Sequence, residues 1–362
     1  MYGKLLKYIL FLLLISIPFK EISAQQPSSL GLSVNPQIFE LDVWPEETIN
    51  KKIKLKNLSE VPVPIEVRLT DFTAEEDSGE MIFDESLQDI SVASRKWFEV
   101  ENPNLILETG ERREINFTIS VPENAEIGGH YVTMLFEPVL PSFYFQEGQL
   151  RHIPVIGVLF LISVKTLTLE SETEQKLEVV EFDIPKEERL VGLEDFLSKA
   201  VGSIAQAAEF TISKTSPSKF LLKLKNNDIY HIRPSGKVLI YNIFGKKVGE
   251  AEVSQRTILP GRTRQFPVEF SLQTPEIFKW LPASIANFLV QNFFIGKYRA
   301  NLELQAAGPL GSFGPTILTA LTFFSLPWQF WLVFLIILGT MTIFMIKYRQ
   351  RIKLSLRVLL GR

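Results

Sequence analysis

Period-two alternation of apolar residues, turn residues at regular intervals and a strand pattern that returns in order predict a mainly β chain. The expected architecture is two tandem immunoglobulin-like β-sandwiches, the second with two helical insertions, followed by one C-terminal transmembrane helix. In "TINKKIKLKN" Ile49, Ile53 and Leu55 face one way, while Asn50, Lys52, Lys54 and Lys56 face the other. In "VPVPIEVRLT" Val61, Val63, Ile65, Val67 and Leu69 share a face. Pro62 and Pro64 lack the N–H that a ladder needs, so this strand starts at an edge or a bulge. Gly110 turns the chain into "EINFTISV", where Ile115, Phe117, Ile119 and Val121 fall together. The later run "IPVIGVLFLISV" is apolar on both faces, as a central strand should be.

The pattern then returns. "KLKN" at Lys54–Asn57 recurs at Lys223–Asn226, each time before a polar turn. "LETGERREINFTIS" has a counterpart in "ILPGRTRQFPVEFS", with Gly261 in the place of Gly110. "GGHYVTMLFEP" has one in "IGKYRANLELQ", which matches Gly129 and Tyr131 to Gly296 and Tyr298 as structural turn and corner residues. In this match His130, one of only three histidines, is replaced by Lys297. Lysine has quite different acid–base chemistry, so His130 reads as a strand-edge side chain and not as a catalytic group.

At the N-terminus Lys4 and Lys7 precede "YILFLLLISIPF" and a small residue, Ala24, the pattern of a signal peptide over 1–24. Domain one is expected over 30–166 and an acidic linker over 167–175. Domain two follows over 176–326. Its insertions lie near 190–209, with Leu193, Phe196, Leu197, Ala200, Ile204 and Ala208 at helical spacing, and near 275–294. In the second insertion Pro282 bends or interrupts the helix. Phe278, Trp280, Phe288, Phe293 and Phe294 carry more aromatic mass than one narrow stripe needs. Either both helices fold back on the sandwich or on each other, or they form a surface for a partner protein or dip into the outer leaflet.

The run at 328–346 has no charged residue and is long enough to span a bilayer. Trp328 and Trp331 suit the outer interface. Lys347, Arg349 and Arg351 open a tail at 347–362 that carries no acid, which the positive-inside rule places in the cytoplasm. No polar tether separates domain two from this run, so that domain is expected close to the membrane.

Composition narrows the chemistry. There is no cysteine, which removes disulfides, thiolate metal sites and cysteine nucleophiles. With the three lysines of the leader and the six cations of the tail set aside, 29 of the 38 basic residues remain against 40 of the 41 acids. An acidic exported region argues against nucleic acid and against hugging an anionic membrane. No phosphate loop, dinucleotide fingerprint, zinc motif or nucleophile elbow is present, so no cofactor and no metal are expected. The acidic stretch "DFTAEEDSGEMIFDE" lacks the spacing of a calcium loop and reads as a solvated hairpin around Ser78–Gly79. The sequon at Asn57 reads as a strand terminator, since Asn226 repeats it.

The order of leader, two immunoglobulin-like domains, one membrane helix and a short basic tail resembles the bacterial WxL-interacting protein family. "GLSVNPQIFELDVWPEETINKKIKLKNLSEVPVPIEVRLTDF" and "VPENAEIGGHYVTMLFEP" are similar to its membrane-anchored cell-wall proteins. The resemblance implies a first domain that binds peptidoglycan and a second that binds surface proteins carrying the WxL module. The helical insertions depart from that pattern. The sequence thus reads as a non-enzymatic, single-pass plasma-membrane scaffold or adhesion protein with extracytoplasmic domains. It would bind cell-wall polymer, an extracytoplasmic protein, or both. The alternative is an accessory or chaperone-like subunit of an envelope assembly or secretion complex.

Overall fold

The computed structural model describes residues 31–83, 94–139, 154–165, 176–195, 211–214, 219–272, 280–292, 295–308 and 313–347. The expectations for Ala24, the linker at 167–175, Phe278, Phe293, Phe294, Arg349 and Arg351 concern positions outside these residues. So does most of the first insertion, which is helical at 191–195 where the described residues pause.

The chain is mainly β. The first sandwich begins with β1 (Leu32–Asn35), β2 (Ile38–Val43), β3 (Thr48–Asn57), β4 (Val63–Ala74) and β5 (Met81–Phe83). A 3-10 turn, Ser94–Trp97, leads to β6 (Phe98–Val100) and β7 (Asn104–Leu107). Then come β8 (Arg112–Ser120), β9 (Gly128–Pro138) and β10 (Ile156–Val164). One sheet has the order β1-β3-β8-β6; the other has β2-β10-β9-β4-β5, with β7 also on β4. The chain changes sheets across the cis Asn35–Pro36 bond, so β1 pairs antiparallel with β3 and β2 parallel with β10.

The second sandwich runs β11 (Leu177–Asp183), β12 (Thr211–Ser213), β13 (Lys219–Asn226) and β14 (Arg233–Asn242). After these come β15 (Lys247–Val253), β16 (Thr263–Glu269), β17 (Ser271–Leu272), β18 (Gly296–Ala307) and β19 (Ile317–Ser325). Its sheets are β11-β13-β16 and β12-β19-β18-β14-β15-β17. The β1, β2, β3, β4, β8, β9 and β10 pairings return as β11, β12, β13, β14, β16, β18 and β19. Even the parallel edge pairing is repeated, β12 on β19.

Alternation builds both cores. Ile53 and Leu55 on β3 and Phe117 and Ile119 on β8 meet Phe136 and Phe160 from the opposite sheet. Phe220, Leu222 and Phe266 meet Val238, Ile240 and Leu302 in the second domain. Full burial of each such side chain stabilises the fold by about 1.5–3 kcal/mol. The repeated asparagines act alike. Asn57 Nδ2 donates to the carbonyls of Val61 (2.8 Å), Leu107 and Glu108 (both 3.1 Å), and its Oδ1 accepts from the Ser59 amide. Asn226 Nδ2 donates to Tyr230 and Ile258 carbonyls, and its Oδ1 accepts from the Asp228 amide. Both side chains are fully buried, which fits a corner lock and not a glycan acceptor.

The glycine–tyrosine match needs correction by one residue. Gly128 (φ 132°) and Gly296 (φ 120°) share the left-handed half of φ space, whereas Gly129 does not. Tyr298 lies on the core face with Ala300 and Leu302, and its hydroxyl donates to the Ile295 carbonyl at 3.2 Å. Tyr131 points the other way from the core residues Val132 and Met134, toward the second domain. Period two makes a one-residue slip a change of face. The equivalents are therefore Gly128 with Gly296 and His130 with Tyr298.

Two helices complete the described chain. In α1 (Ala283–Asn292) the Pro282 carbonyl accepts from the amides of Ile285 and Ala286, so the proline opens the helix rather than bending it. The helix α2 (Trp328–Lys347) has 20 residues and one charge, Lys347, at its end. From Leu332 to Ile346 its aliphatic and aromatic side chains are exposed. Among the described residues no helix is long and apolar enough to cross a membrane. The side chains of residues 329 and 330 lie outside that set. The expectation at 328–346 is met by a helix, and a crossing is not shown by the described residues.

Candidate functional site

The two sandwiches meet in a junction that leaves a cleft of about 640 Å³. Its first-domain wall is built by β4, β9 and the turn at Ser94; its second-domain wall is the Asp228–Ile229 turn and the Leu259–Gly261 turn. Asp71, at the end of β4, caps the 3-10 turn. Its carboxylate accepts from the amides of Ser94 and Arg95 (3.2 Å to Arg95) and pairs with the Arg95 guanidinium at 3.3 Å. Burial pushes the Asp71 carboxyl above its ordinary value, and the Arg95 amide, the Arg95 charge and the Ser94 amide offset part of that rise.

His130 stands beside this cap. Its Nε2 is 2.7 Å from the Glu126 carbonyl, which can only accept, so Nε2 carries the proton. Nδ1 then accepts from the Ser94 hydroxyl at 2.8 Å. The ring leans on Trp97 with centroids 4.6 Å apart. A serine–histidine pair in a cleft is the geometry that an acyl-transfer enzyme would need. Here, however, the amides that could receive an oxyanion at Ser94 are occupied by the Asp71 carboxylate, whose charge would repel one. The chain of contacts from Glu126 through His130 and Ser94 to Asp71 holds the turn in place.

Across the cleft the domains are joined by backbone as well as by side chains. The Gly129 amide donates to the Ile229 carbonyl at 2.9 Å. A Cβ at Gly128 would stand 3.1 Å from that same carbonyl, in addition to its φ requirement. The Tyr230 hydroxyl donates to the Val164 carbonyl (3.0 Å), and Arg262 donates to Thr73 Oγ1 (3.0 Å). Arg233 pairs with Glu40. Phe72, Leu161 and Leu259 form a small apolar cluster, flanked by Tyr131. The Tyr131 hydroxyl makes no hydrogen bond of normal geometry among the described residues; burial pushes its pKa well above the ordinary phenol value, opposed by the His231 backbone. Its ring meets the His231 imidazole edge-on at 5.9 Å. Burial pushes His231 down to about 4, opposed weakly by Asp42, and its Nδ1 has no partner among the described residues.

The acidic hairpin supplies the outermost contact. Asp77 (φ 64°) sits in the turn between β4 and β5. Its amide donates to the Thr263 carbonyl (2.9 Å), its carbonyl accepts from Gln265 (2.8 Å), and its carboxylate pairs with Lys223 at 3.0 Å. This turn thus adds one bridge to the outer edge of β16. The next outward position on that edge is Pro267, which has no amide to offer.

Among the sequence-selected residues, the junction includes Gly129 and Tyr131 but not Gly296 or Tyr298, which lie at the far end of domain two. Trp280 is exposed before α1 and Phe288 is exposed on it, and Trp328, Trp331 and Lys347 lie on α2. Of the junction residues, Asp71 and Asp77 belong to the acidic stretch expected as a solvated hairpin, but Asp71 is buried and Asp77 pairs with domain two; Tyr230, His231 and Arg262 carry no selected role. No local pattern announces these contacts, because each residue acquires its role through another far along the chain.

No family model matches the chain, and no curated protein matches it. Solved structures do. The chain is similar to the class 5 fimbriae chaperone CfaA (13% identity, 80% of this chain and 99% of that one, TM-score 0.37). It is also similar to a chain of a chaperone–tip adhesin complex of CFA/I fimbriae biogenesis (10%, 80% and 98%, TM-score 0.37). A third is from the chaperone–tip adhesion subunit pre-assembly complex of Csu pili of Acinetobacter baumannii (12%, 65% and 89%, TM-score 0.33). At these identities and scores the likenesses carry no argument about what this chain binds.

Proposed function

We propose that this protein is a non-enzymatic, protein-binding component of the cell envelope, of the assembly-accessory or chaperone-like kind, held at the membrane by α2. The observation that carries the reading is the junction. Backbone pairing at Asp77 and Gly129, with ion pairs and a buried apolar cluster, fixes two sandwiches as one body, which suits presentation of a set geometry to a partner. A spacer between membrane and wall needs reach and not a fixed elbow.

The anchoring half of the reading rests on α2. Its 20 residues extend about 30 Å, close to the hydrocarbon thickness, and Lys347 opens the basic tail that would lie in the cytoplasm. The helix follows β19 without a tether: the Leu326 amide donates to the Ser213 carbonyl (3.0 Å), and Pro327 accepts from Trp331.

The test is crosslinking in native membranes, detergent extraction of the full-length protein and mass spectrometry of what comes with it. Extracytoplasmic proteins or membrane-complex subunits, crosslinked at residues of the junction or either sandwich, are expected. Retention on protein-free isolated cell wall, with no specific protein crosslink, would overturn this reading in favour of the wall-binding scaffold that the WxL-interacting resemblance implies.

A further inference from the structure

The β14–β15 turn exposes two large apolar side chains at its apex, where turns ordinarily carry polar ones. Ile243 is 71% exposed and Phe244 89%. The turn is built to hold them out. Asn242 Oδ1 accepts from the amides of Phe244 (3.0 Å) and Lys246 (2.9 Å), its amide donates to Lys246, and Gly245 (φ 72°) closes the loop.

Register fixes which end of the sandwich this apex occupies. Asn242 is level with Tyr298, Tyr298 with Phe323, and Gly296 with Ser325, two residues before α2 is reached through Leu326 and Pro327. At about 3.3 Å per residue, the apex passes beyond Phe323 by roughly 7–10 Å and so comes level with the start of α2. The first domain packs at the opposite end, on Tyr230 and Arg233. Exposed Ile295 precedes Gly296 at the same level. Exposed Lys246 and Lys297 border the apolar tip.

We infer that the Ile243–Phe244 turn is a membrane seat: it inserts into the interfacial region of the same bilayer that α2 enters, with Lys246 and Lys297 at the headgroups. This rests on the membrane reading of α2 given above. An apolar tip rimmed by lysines beside a membrane helix has the chemistry of an interfacial anchor. Two points of attachment on one face, the tip and α2, would fix the tilt of the sandwich on the membrane.

The chain has no cysteine, so single reporters can be placed without background. Phe244→Cys, Leu335→Cys on α2 and Leu58→Cys on the first domain would each carry an environment-sensitive fluorophore. The full-length protein would be placed in phosphatidylethanolamine–phosphatidylglycerol bilayers with lipid-borne quenchers at headgroup or mid-chain depth. The label at 244 is expected to be quenched several-fold more than that at 58, most strongly by the headgroup-depth quencher, and the label at 335 by the mid-chain quencher. A label at 244 that behaves like the one at 58 while 335 is quenched overturns the seat alone. Loss of lipid quenching at 335 overturns the membrane reading of α2; with 244 still quenched the tip remains a lipid contact, and with both unquenched the two inferences fall together.

Discussion

The two sandwiches repeat one topology but finish an edge differently. In the first, the outer side of β8 is covered by the domain's own β6. In the second, the equivalent outer side of β16 has no strand of its own among the described residues, and the Asp77 turn of the first domain bridges its beginning. The interior framework, corner asparagines included, stays the same. The differences gather at the two ends of domain two, one facing domain one and the other facing α2. Repetition here conserves what folds a sandwich, and the departures mark where each copy meets something else.

The corner asparagines offer the strongest way to break the equivalence. Asn57→Ala leaves one buried and two part-buried carbonyls and one amide without their partner, and Asn226→Ala leaves two buried carbonyls and one amide. Each is expected to cost about 3 kcal/mol, with Asn57 the more damaging, read by denaturant unfolding of the full chain in detergent. A neutral effect at one site alone would show that the two corners are not equivalent.

The junction responds to pH through His231. Its value near 4 in the fold lies below the ordinary 6.5, so between those limits the unfolded chain binds more protons. Stability therefore rises with pH across that window and falls as pH drops from 6.5 toward 4, by up to about 3 kcal/mol in total. His231→Phe should flatten that dependence in a pH series of thermal unfolding. An unchanged slope would place the sensitivity elsewhere.

Tyr131 and its repeat neighbour sharpen the register correction. Tyr131→Phe removes a buried hydroxyl without a normal hydrogen bond and should leave stability unchanged or raise it by up to about 1 kcal/mol. Tyr298→Phe loses the bond to Ile295 and should lower stability by about 1 kcal/mol. Opposite signs at two positions that match by letter would confirm that they are not equivalent by face. Smallest of all, Asp77→Gly keeps the positive φ and the backbone bridge and loses only the exposed Lys223 pair, so a change below about 0.5 kcal/mol is expected.

Much of the framework was legible in the sequence because it is local or periodic. The alternation in "TINKKIKLKN", the left-handed glycines Gly110 and Gly261, and the "KLKN" corners all announce themselves within a few residues. The glycine–tyrosine match failed by one residue because letters were aligned without regard to the pleat, and only pairing to β10 and β19 fixes which side each tyrosine faces. The junction was not legible. Asp77 meets Thr263, and Tyr230 meets Val164, through contacts that no local pattern encodes.

The bridge at Asp77 also sets an order of events during synthesis. The N-terminal sandwich leaves the ribosome or translocon first and can close with its own strands, hairpin included. The second sandwich then emerges with an edge on β16 that no strand of its own covers among the described residues, the kind of surface that recruits strands from other chains. It meets a finished neighbour whose turn covers the first part of that edge, while Pro267 blunts the next position. The older half of the chain is thus a mould for the younger one, and a protein truncated to begin at β11 would be born with the β16 edge uncovered.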